Sequence, residues 1–467
     1  MNEFSLLGDR VAHVRPRSRS GVGTLFFAAC VLAFPSVVQA WTGDAFVSSR
    51  ERNDRYSHRA WRSQSLTDRI PFGVFVRDAG YGRRRAAMDL LGPAKIDIVT
   101  TGWGNSKQAQ DQLDDIARRC RDANTLLFYD MNSESREGRI NDFNFNRKGF
   151  ADSPGLGGWM HTDDANVTSL HSRSDVQRLE RLIRNYNPYA SDREAGNADI
   201  RAATMITTSE SGGSSPYEAD RWTSIADICA LQTYPIRRGG GLGKRKAYKV
   251  FKPLENLRFS ADANGCVPMA ILQLSGNPAQ TESNDIIQPN SGEMSVMSHL
   301  ALAAGVRGIL WYGFESNIEE RLDRKNQNLW NRLKELRIET TQMEGHLLAS
   351  APTTKQIPGY NFFRAVWPLN YSGHRGDRLV VLINADQVNH WHVRKGGSVN
   401  IGQTNASPRL RDGISYSGRG KGEFQVRRND RGDGLIYAPK DLVLKPLQYR
   451  VMYVDVWPYL GSKEPWQ

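Results

Sequence analysis

VPMAILQLS (residues 267–275), EMSVMSHLALAAG (293–305) and VRGILWYGFE (306–315) follow one another in the chain. Their order decides the fold. The two outer runs are apolar and of strand length, with β-branched and aromatic residues. The middle one has the length and the small apolar residues of a buried helix. A strand, a helix and a second strand in this order make a crossover, because parallel neighbours cannot be joined by a tight turn.

The same alternation extends towards the N-terminus. Apolar runs at 71–79, 95–104, 125–132, 157–166, 200–208 and 226–235 are each bounded by turn residues. A short helix is expected at 85–91. Another falls on SKQAQDQLDDIARRCRDA, where Leu113 and Ile116 share a face, and a third on DVQRLERLIRNY, where Val176, Leu179, Leu182 and Ile183 do. The segment after the third run reads as a polar, irregular insertion. Eight strand–helix units predict a (β/α)8 TIM barrel, a fold of about 250 residues plus insertions. A doubly wound sheet is the alternative. RDAGYG after the first run lacks the phosphate-turn spacing such a sheet usually shows.

From about Lys355 the texture changes. NFFRAVWPL, RLVVLINA, GSVNIG, GEFQVR, DLVLKPL and YRVMYVDV are short runs split by Gly, Asn and Asp, without helical period. They predict a C-terminal antiparallel β-sandwich. At the other end, Arg10, Arg15, Arg17 and Arg19 precede the apolar run GTLFFAACVLAF, and Val38 and Ala40 close VQA before Trp41. This is the layout of a secretory signal peptide. The expected organisation is a signal at 1–40, a barrel at 41–350 and a sandwich at 351–467, the protein being secreted or periplasmic with no transmembrane segment after cleavage behind Ala40.

The chain has 467 residues with 39% hydrophobic and 24% charged residues, which excludes a disordered chain. The net charge is +12, and residues 351–467 hold 17 Lys and Arg against 9 Asp and Glu. Arg409, Arg411, Arg419, Lys421, Arg427, Arg428 and Arg431 fall in one region of that quarter. They suit an anionic polysaccharide or an acidic surface, and equally a solvated basic face. No nucleic-acid motif is present, so no nucleic-acid partner is expected. Cys120, Cys229 and Cys266 follow the signal. Cys120 is expected to be a free thiol, and any bridge to join Cys229 with Cys266 on neighbouring strands. No Cys-x-x-Cys or His-x-x-x-His spacing occurs, so neither a metal nor another cofactor is expected.

A barrel builds its site at the C-terminal ends of its strands. Those ends carry Arg77, Trp103, Asp130, His161, Asp163, Asp164, Glu210, Tyr234, Gln273, Trp311, Tyr312 and Glu315. Carboxylates, amides and flat aromatics are what sugar chemistry needs. One acid protonates the leaving oxygen and a second attacks or activates water; rings stack on pyranose faces. No Ser-His-Asp order, G-x-S-x-G or P-loop competes.

GGWMHTDDA resembles the glycine–aromatic–aromatic–x–x–Asp–Glu–Pro segment that ends the fourth strand in secreted barrels of the β-galactosidase-like glycoside hydrolase superfamily. ADICALQTYPI is similar to their sixth strand, and residues 267–315 to their seventh strand, helix and eighth strand. The resemblance covers roughly 157–315 and implies a secreted glycoside hydrolase acting on a poly- or oligosaccharide. It puts the proton donor on Asp164, beside Asp163. Two positions depart from the pattern. Asp164-Ala165 stands where Glu-Pro is usual, and the seventh strand ends in Gln273 where the best-known members bear a nucleophilic Glu. Glu315 is therefore the second carboxylate expected, with Glu210 as its alternative. Arg77, Trp103, Asp130, Tyr234, Gln273, Trp311 and Tyr312 are expected to bind substrate.

Each residue has a plainer reading. Asp163-Asp164 suits a helix N-cap, Glu315 and Glu210 suit solvated acids, and Trp311 and Tyr312 suit core packing. His161 reads as a satisfied core histidine. A catalytically inactive glycan-binding barrel of the cell envelope is the second reading. A polysaccharide lyase using Tyr234 or His161 as base is the third. Sugar, linkage, endo or exo action, stereochemistry and oligomeric state are not encoded in any motif found.

Overall fold

The computed structural model describes residues 69–76, 81–102, 107–131, 136–150, 156–161, 165–166, 172–185, 203–209, 221–237, 245–274, 286–313, 324–357, 359–368, 378–393, 398–403, 409–411, 425–428, 433–437 and 442–455. The signal-like segment and the turn region holding Arg419, Lys421 and Arg431 lie outside them.

Eight parallel strands close into a barrel: β1 (Phe72–Phe75), β2 (Ile98–Thr101), β3 (Leu126–Asp130), β4 (Leu156–Met160), β5 (Ala203–Ser209), β6 (Ile228–Thr233), β7 (Val267–Gln273) and β8 (Ile309–Tyr312). Closure is made by β1 on β8, with Phe72 opposite Ile309 and Phe75 opposite Tyr312. Helices α1 (Tyr81–Ala94), α2 (Lys107–Asp122), α3 (Arg136–Phe150), α4 (Arg173–Asn185), α5 (Phe251–Asn264), α6 (Ser291–Ala304) and α7 (Arg324–Ala349) lie between or after the strands.

One of these helices corrects the sequence reading. The segment after β3, expected to be irregular, is α3. Its apolar stripe is thin because Arg139, Asp142 and Asn146 take buried positions beside Ile140 and Phe143. Buried polar residues erased the periodicity by which such a helix is found. Tyr129 donates its hydroxyl to Asp142 at 3.0 Å, and the Asn146 amide reaches both Tyr129 and Asp142, at 2.9 and 3.1 Å. Burial pushes the Asp142 carboxyl up to about 6.

Strand alternation sorts the barrel into two cores. Phe75, Ile98, Leu126, Phe128, Met160, Met205, Ile228, Ala230, Met269, Ile271 and Leu310 fill the lumen. The intervening residues, among them Val99, Tyr129, Trp159, Leu231, Leu272 and Trp311, pack outward against the helices. Large lumen residues require small ones opposite. A methyl at Gly158 would come within 2.4 Å of the Phe128 ring and of the Ala203 carbonyl oxygen.

Helix α6 shows local sequence logic. Asn290 caps it by accepting from the Glu293 amide at 2.9 Å, while Glu293 accepts from the Asn290 amide at 2.8 Å. Gly305 ends it with φ +91°.

The C-terminal part is antiparallel. β9 (Thr353–Gln356), β10 (Phe362–Pro368), β11 (Arg378–Asn384), β14 (Arg409–Arg411) and β18 (Gln448–Asp455) form one sheet in the order β14-β18-β11-β10-β9. β12 (Trp391–Val393) pairs with β17 (Leu442–Leu444), and β13 (Ser398–Gln403) with β16 (Asp433–Tyr437), which also pairs β15 (Gln425–Arg428). Trp391 and Leu444 cover one face of the five-stranded sheet, against Phe362, Val380 and Leu382.

The other face is continuous with the core outside the barrel. Phe363, Trp367, Leu379, Val381, Tyr449 and Val451 belong to the same apolar cluster as α6 and α7. A polar lock crosses this interface. Arg332 of α7 donates to the Tyr449 hydroxyl at 2.7 Å, and that hydroxyl donates to Glu339 at 2.6 Å. The His299 ring stacks on Tyr449 with centroids 3.8 Å apart. Cys229 and Cys266 form a disulfide, and Cys120 is free and buried between helix and barrel, as expected.

Candidate active site at the barrel mouth

The lumen changes character towards the C-terminal ends of the strands. Continuing the alternation from Leu126 and Phe128 places Asp130 on the inner face of β3. The same count from Ile228 and Ala230 places Gln232 there, and from Leu310, Tyr312. An apolar plug is thus capped by a polar and aromatic layer. Asp130 is 4% exposed. Tyr234, just beyond β6, donates its hydroxyl to Gln232. Its ring lies 5.2 Å from that of Tyr312, which lies 5.4 Å from Phe75. Phe75, Tyr312 and Tyr234 form a wall of rings from β1 across β8 to the end of β6.

Of the expected substrate-binding residues, Tyr234 and Tyr312 come together at this mouth, and Asp130 faces the same end of the lumen from β3. Gln273 shares the inward face of β7 but is fully buried and engaged with backbone. Its side-chain oxygen accepts from the Ile236 amide at 3.1 Å, and its nitrogen donates to the carbonyls of Ile236, at 3.0 Å, and of Ile287. Trp311 is a correction as well: it is fully buried on the outward face of β8, its ring 6.3 Å from Phe72. Its neighbour Tyr312 takes the inward position because successive strand residues alternate.

His161 is also outside the mouth. It is buried behind β4, with Nε2 2.5 Å from Glu180 of α4. The Thr204 hydroxyl, with one proton to give, lies within hydrogen-bonding distance of both Glu180 and Asp227, and accepts from the Asp227 amide. That is the buried core histidine of the plainer reading, bonded through Nε2 alone with Nδ1 left without a hydrogen-bond partner, and its place behind β4 removes it as a lyase base at the mouth. Asp163, Asp164, Glu210, Glu315, Arg77 and Trp103 lie outside the described residues.

The chain following Asp164 is fixed on both sides of a short pairing. The Ala165 amide donates to the Thr207 carbonyl at 3.0 Å. Asn166 then uses its whole side-chain amide on the Ser209 backbone, donating to its carbonyl and accepting from its N–H, both at 2.8 Å. Sequence reasoning missed Gln232, Phe75 and Asn166 as parts of this mouth. The i, i+2 count along β6 would have found Gln232. Asn166 carries no such signal, because its partner is set by tertiary contact.

The segments after β6 and β7 are tied together. Ile236 bridges Arg245 and Arg237 bridges Ile286 in antiparallel fashion. Arg245 donates through Nε to the buried Glu293 at 2.7 Å, and Gln387 of the C-terminal part donates to the same carboxylate at 3.2 Å. A route of hydrogen bonds therefore runs from the mouth to the C-terminal sheet.

An eight-stranded parallel barrel joined to an antiparallel C-terminal part, with a polar and aromatic mouth, is the class that fold and site define. No protein-family model matches the chain, and no curated protein matches it in sequence. Solved structures do resemble it. A provisionally assigned glycoside hydrolase from Bacteroides vulgatus superposes with a TM-score of 0.51 at 9% identity, over 83% of this chain and 78% of that one. A glycoside hydrolase family 30 subfamily 8 xylanase from Clostridium acetobutylicum gives 0.43 at 10% identity, over 83% and 96%. A family 39 glycoside hydrolase from Bacteroides cellulosilyticus gives 0.42 at 11% identity, over 84% and 82%. At these identities the likeness is one of fold.

Proposed function

We propose that the protein is a glycoside hydrolase that cleaves a poly- or oligosaccharide at the C-terminal mouth of its barrel. The observation that carries this is the mouth layer itself: a buried carboxyl, Asp130 of β3, at the same end of the lumen as an amide and a wall of three rings, above a closed apolar plug. Sugars need such stacking faces with interleaved hydrogen-bonding groups. The sequence resemblance of residues 157–166 supports Asp164 as general acid, with Asp163 beside it, and Glu315 or Glu210 as the second carboxylate. The bonds from Ala165 and Asn166 to β5 support a fixed position for the chain that follows Asp164. Neither a metal nor an organic cofactor enters the proposal.

Export of the protein belongs to this reading. The basic and apolar N-terminal segment supports it, and so does the Cys229–Cys266 bridge, since disulfides persist in oxidising compartments. Among the described residues no helix is long and apolar enough to cross a membrane. The boundaries at 40 and 350 belong here too, the second falling just after α7. An anionic polysaccharide is the substrate type that the basic excess of residues 351–467 favours.

One observation favours the second reading, a glycan-binding barrel without catalysis: among the described residues the end of β7 offers an amide engaged with backbone and no carboxylate. The deciding experiment incubates the purified protein with a panel of neutral and anionic polysaccharides and reads new reducing ends, with Asp164→Asn in parallel. Loss of about 10²–10⁴ in rate is expected with the fold retained. Wild-type rate in Asp164→Asn removes the assignment. Binding without cleavage by the wild type selects the second reading.

A further inference from the structure

We propose that Arg364 and Lys355 form a binding site for the carboxylate of a uronic-acid polysaccharide, on the face of the C-terminal sheet turned away from the barrel. That the carboxylate belongs to a glycan rests on the glycoside hydrolase reading; that an anion binds rests on the sheet itself. Arg364 of β10 lies opposite Lys355 of β9 on one side and Leu382 of β11 on the other, and Leu382 lies opposite Arg450 of β18. Residues opposite each other across an antiparallel pair share a face. Three cations therefore stand in one row, on the face that carries Phe362, Val380 and Leu382. Like charges directly opposite are destabilising. Arg450 is buried and gives Nη1 to the Tyr449 carbonyl at 3.0 Å. The side chains of Arg364 and Lys355 have no ion-pair partner among the described residues.

The ordinary reasons for a cation on a sheet cover only one of the two. Lysine on an edge strand guards against edge pairing, and β9 is an edge. That accounts for Lys355. Arg364 lies one strand in, paired on both sides, and guards no edge. A snorkelling arginine keeps its whole head in water. Arg364 is half-buried, and its Nε is sealed from solvent with no acceptor. Burial pushes its guanidinium below the usual value. An anion at this place would offset the repulsion from Lys355 and the cost of the buried head together.

The planar guanidinium fork fits a carboxylate with two parallel hydrogen bonds. Rings on the same face favour a sugar as its carrier. Phe362, two residues before Arg364, stacks between Tyr360 and Trp391, with centroids 5.2 Å apart on each side and planes within 8° and 9°. Tyr360 is the half-buried outer member of the stack. Residues two apart on a strand stand about 7 Å apart, so cations and rings lie within the reach of a short run of sugar residues. A free anion meets the cations alone; a uronate chain meets both.

The test is affinity electrophoresis of the whole chain through gels holding polygalacturonate, its fully methyl-esterified form or poly-glutamate. The salt is about 0.1 M, where exposed charges more than about 10 Å apart are screened. Polygalacturonate should retard the wild type and the ester should not. In Arg364→Gln the affinity should fall at least about tenfold, since charge-assisted hydrogen bonds are lost. In Lys355→Gln it should fall about two- to threefold. Arg427→Gln with Arg428→Gln removes more charge from the same part of the chain, and should weaken retardation less than Arg364→Gln does. Circular dichroism checks folding. If Arg364→Gln does not fold, unchanged affinity in Lys355→Gln overturns the site. Equal mobility of the wild type in polygalacturonate and its ester overturns it whatever the variants do. A larger loss in the Arg427 and Arg428 variant overturns it in favour of a diffuse basic field, and equal retardation by poly-glutamate overturns it in favour of an acidic peptide. Cleavage of a neutral polysaccharide without retardation by polygalacturonate removes this site and leaves the hydrolase; retardation without new reducing ends from any polysaccharide keeps the site and removes the hydrolase.

Discussion

The β6–β7 side of the barrel mouth and its β3–β4 side solve different problems. On the β6–β7 side the described segments are cross-linked to one another. At the mouth Gln273 clamps Ile236 and Ile287, and Arg245 is held by the buried, helix-capping Glu293; at the opposite, N-terminal end of the same strands a disulfide joins Cys229, near the start of β6, to Cys266, just before β7. On the β3–β4 side the polar groups lie in two layers. Asp130 faces the lumen, while Tyr129, Asp142 and Asn146 form a buried cluster behind β3, and His161 with Glu180 another behind β4. The first side spends its polar atoms on backbone and on one buried ion pair, Arg245 with Glu293, and fixes shape. The second buries titratable groups, which cost stability unless hydrogen-bonded and which respond to pH. An acid for catalysis is expected where such groups are tolerated, and that is the side on which the resemblance puts Asp163 and Asp164.

The contrast can be broken most forcefully at Gln273. Gln273→Glu would place a carboxylate against the Ile236 and Ile287 carbonyls in a fully buried position. A loss of about 3–5 kcal/mol is expected by urea denaturation, with no gain in hydrolysis. A stable Gln273→Glu protein with new activity would mean that the β7 end is a chemical position after all, not a brace.

The disulfide comes next. It closes a loop with a sequence separation of 37. In the chain-entropy account, Cys229→Ser with Cys266→Ser should cost about 3–4 kcal/mol. Thiol titration of the unfolded, unreduced protein cleaved after Ala40 should find one group, Cys120. Three groups would show that the bridge does not form and that β6 and β7 are joined at their N-terminal ends by strand pairing alone.

Asp142 sharpens the other side, with a smaller effect. Its folded-state carboxyl titrates at about 6 against an ordinary 3.8. The protonated form is the one the fold prefers, so its contribution is full below about pH 3.8 and is lost as pH rises through about 6. Asp142→Asn should therefore change stability little at pH 4 and gain about 2 kcal/mol over the wild type by pH 7.5, read as a difference in Tm at the two pH values. A gain independent of pH would show that Asp142 does not titrate in this range.

Docking of the C-terminal sheet also changes how the basic quarter can be studied. Its inner face completes the core of α6 and α7, and Tyr449 sits between Arg332 and Glu339. Residues 351–467 cut away from the barrel would expose that face, so attraction to an anionic polysaccharide is measured on the whole chain with Arg427 and Arg428 replaced.

Much of the fold was legible because strand and helix periods are local. The alternation of eight apolar runs with helices carried the barrel, and the shift to short Gly- and Asn-bounded runs after residue 350 carried the antiparallel sheets. Pairing of Cys229 with Cys266 followed from strand adjacency. Helix α3 was not legible, because Arg139, Asp142 and Asn146 occupy its buried face, and the partner that lets Asp142 and Asn146 be buried is Tyr129 of the neighbouring β3. What tertiary structure alone decided was the use of each residue at a strand end. Trp311 and Tyr312 are adjacent and chemically alike, yet one is core and the other lines the mouth, since a strand sends successive side chains to opposite faces and only register fixes which is which. Gln273 stands at a position of chemical promise, and its amide is taken by two backbone segments that reach it only in the folded barrel. Residue type determines what a side chain is able to bond; the fold determines which partners are within about 3 Å of it, and that distance is what turns a candidate ligand group into a brace.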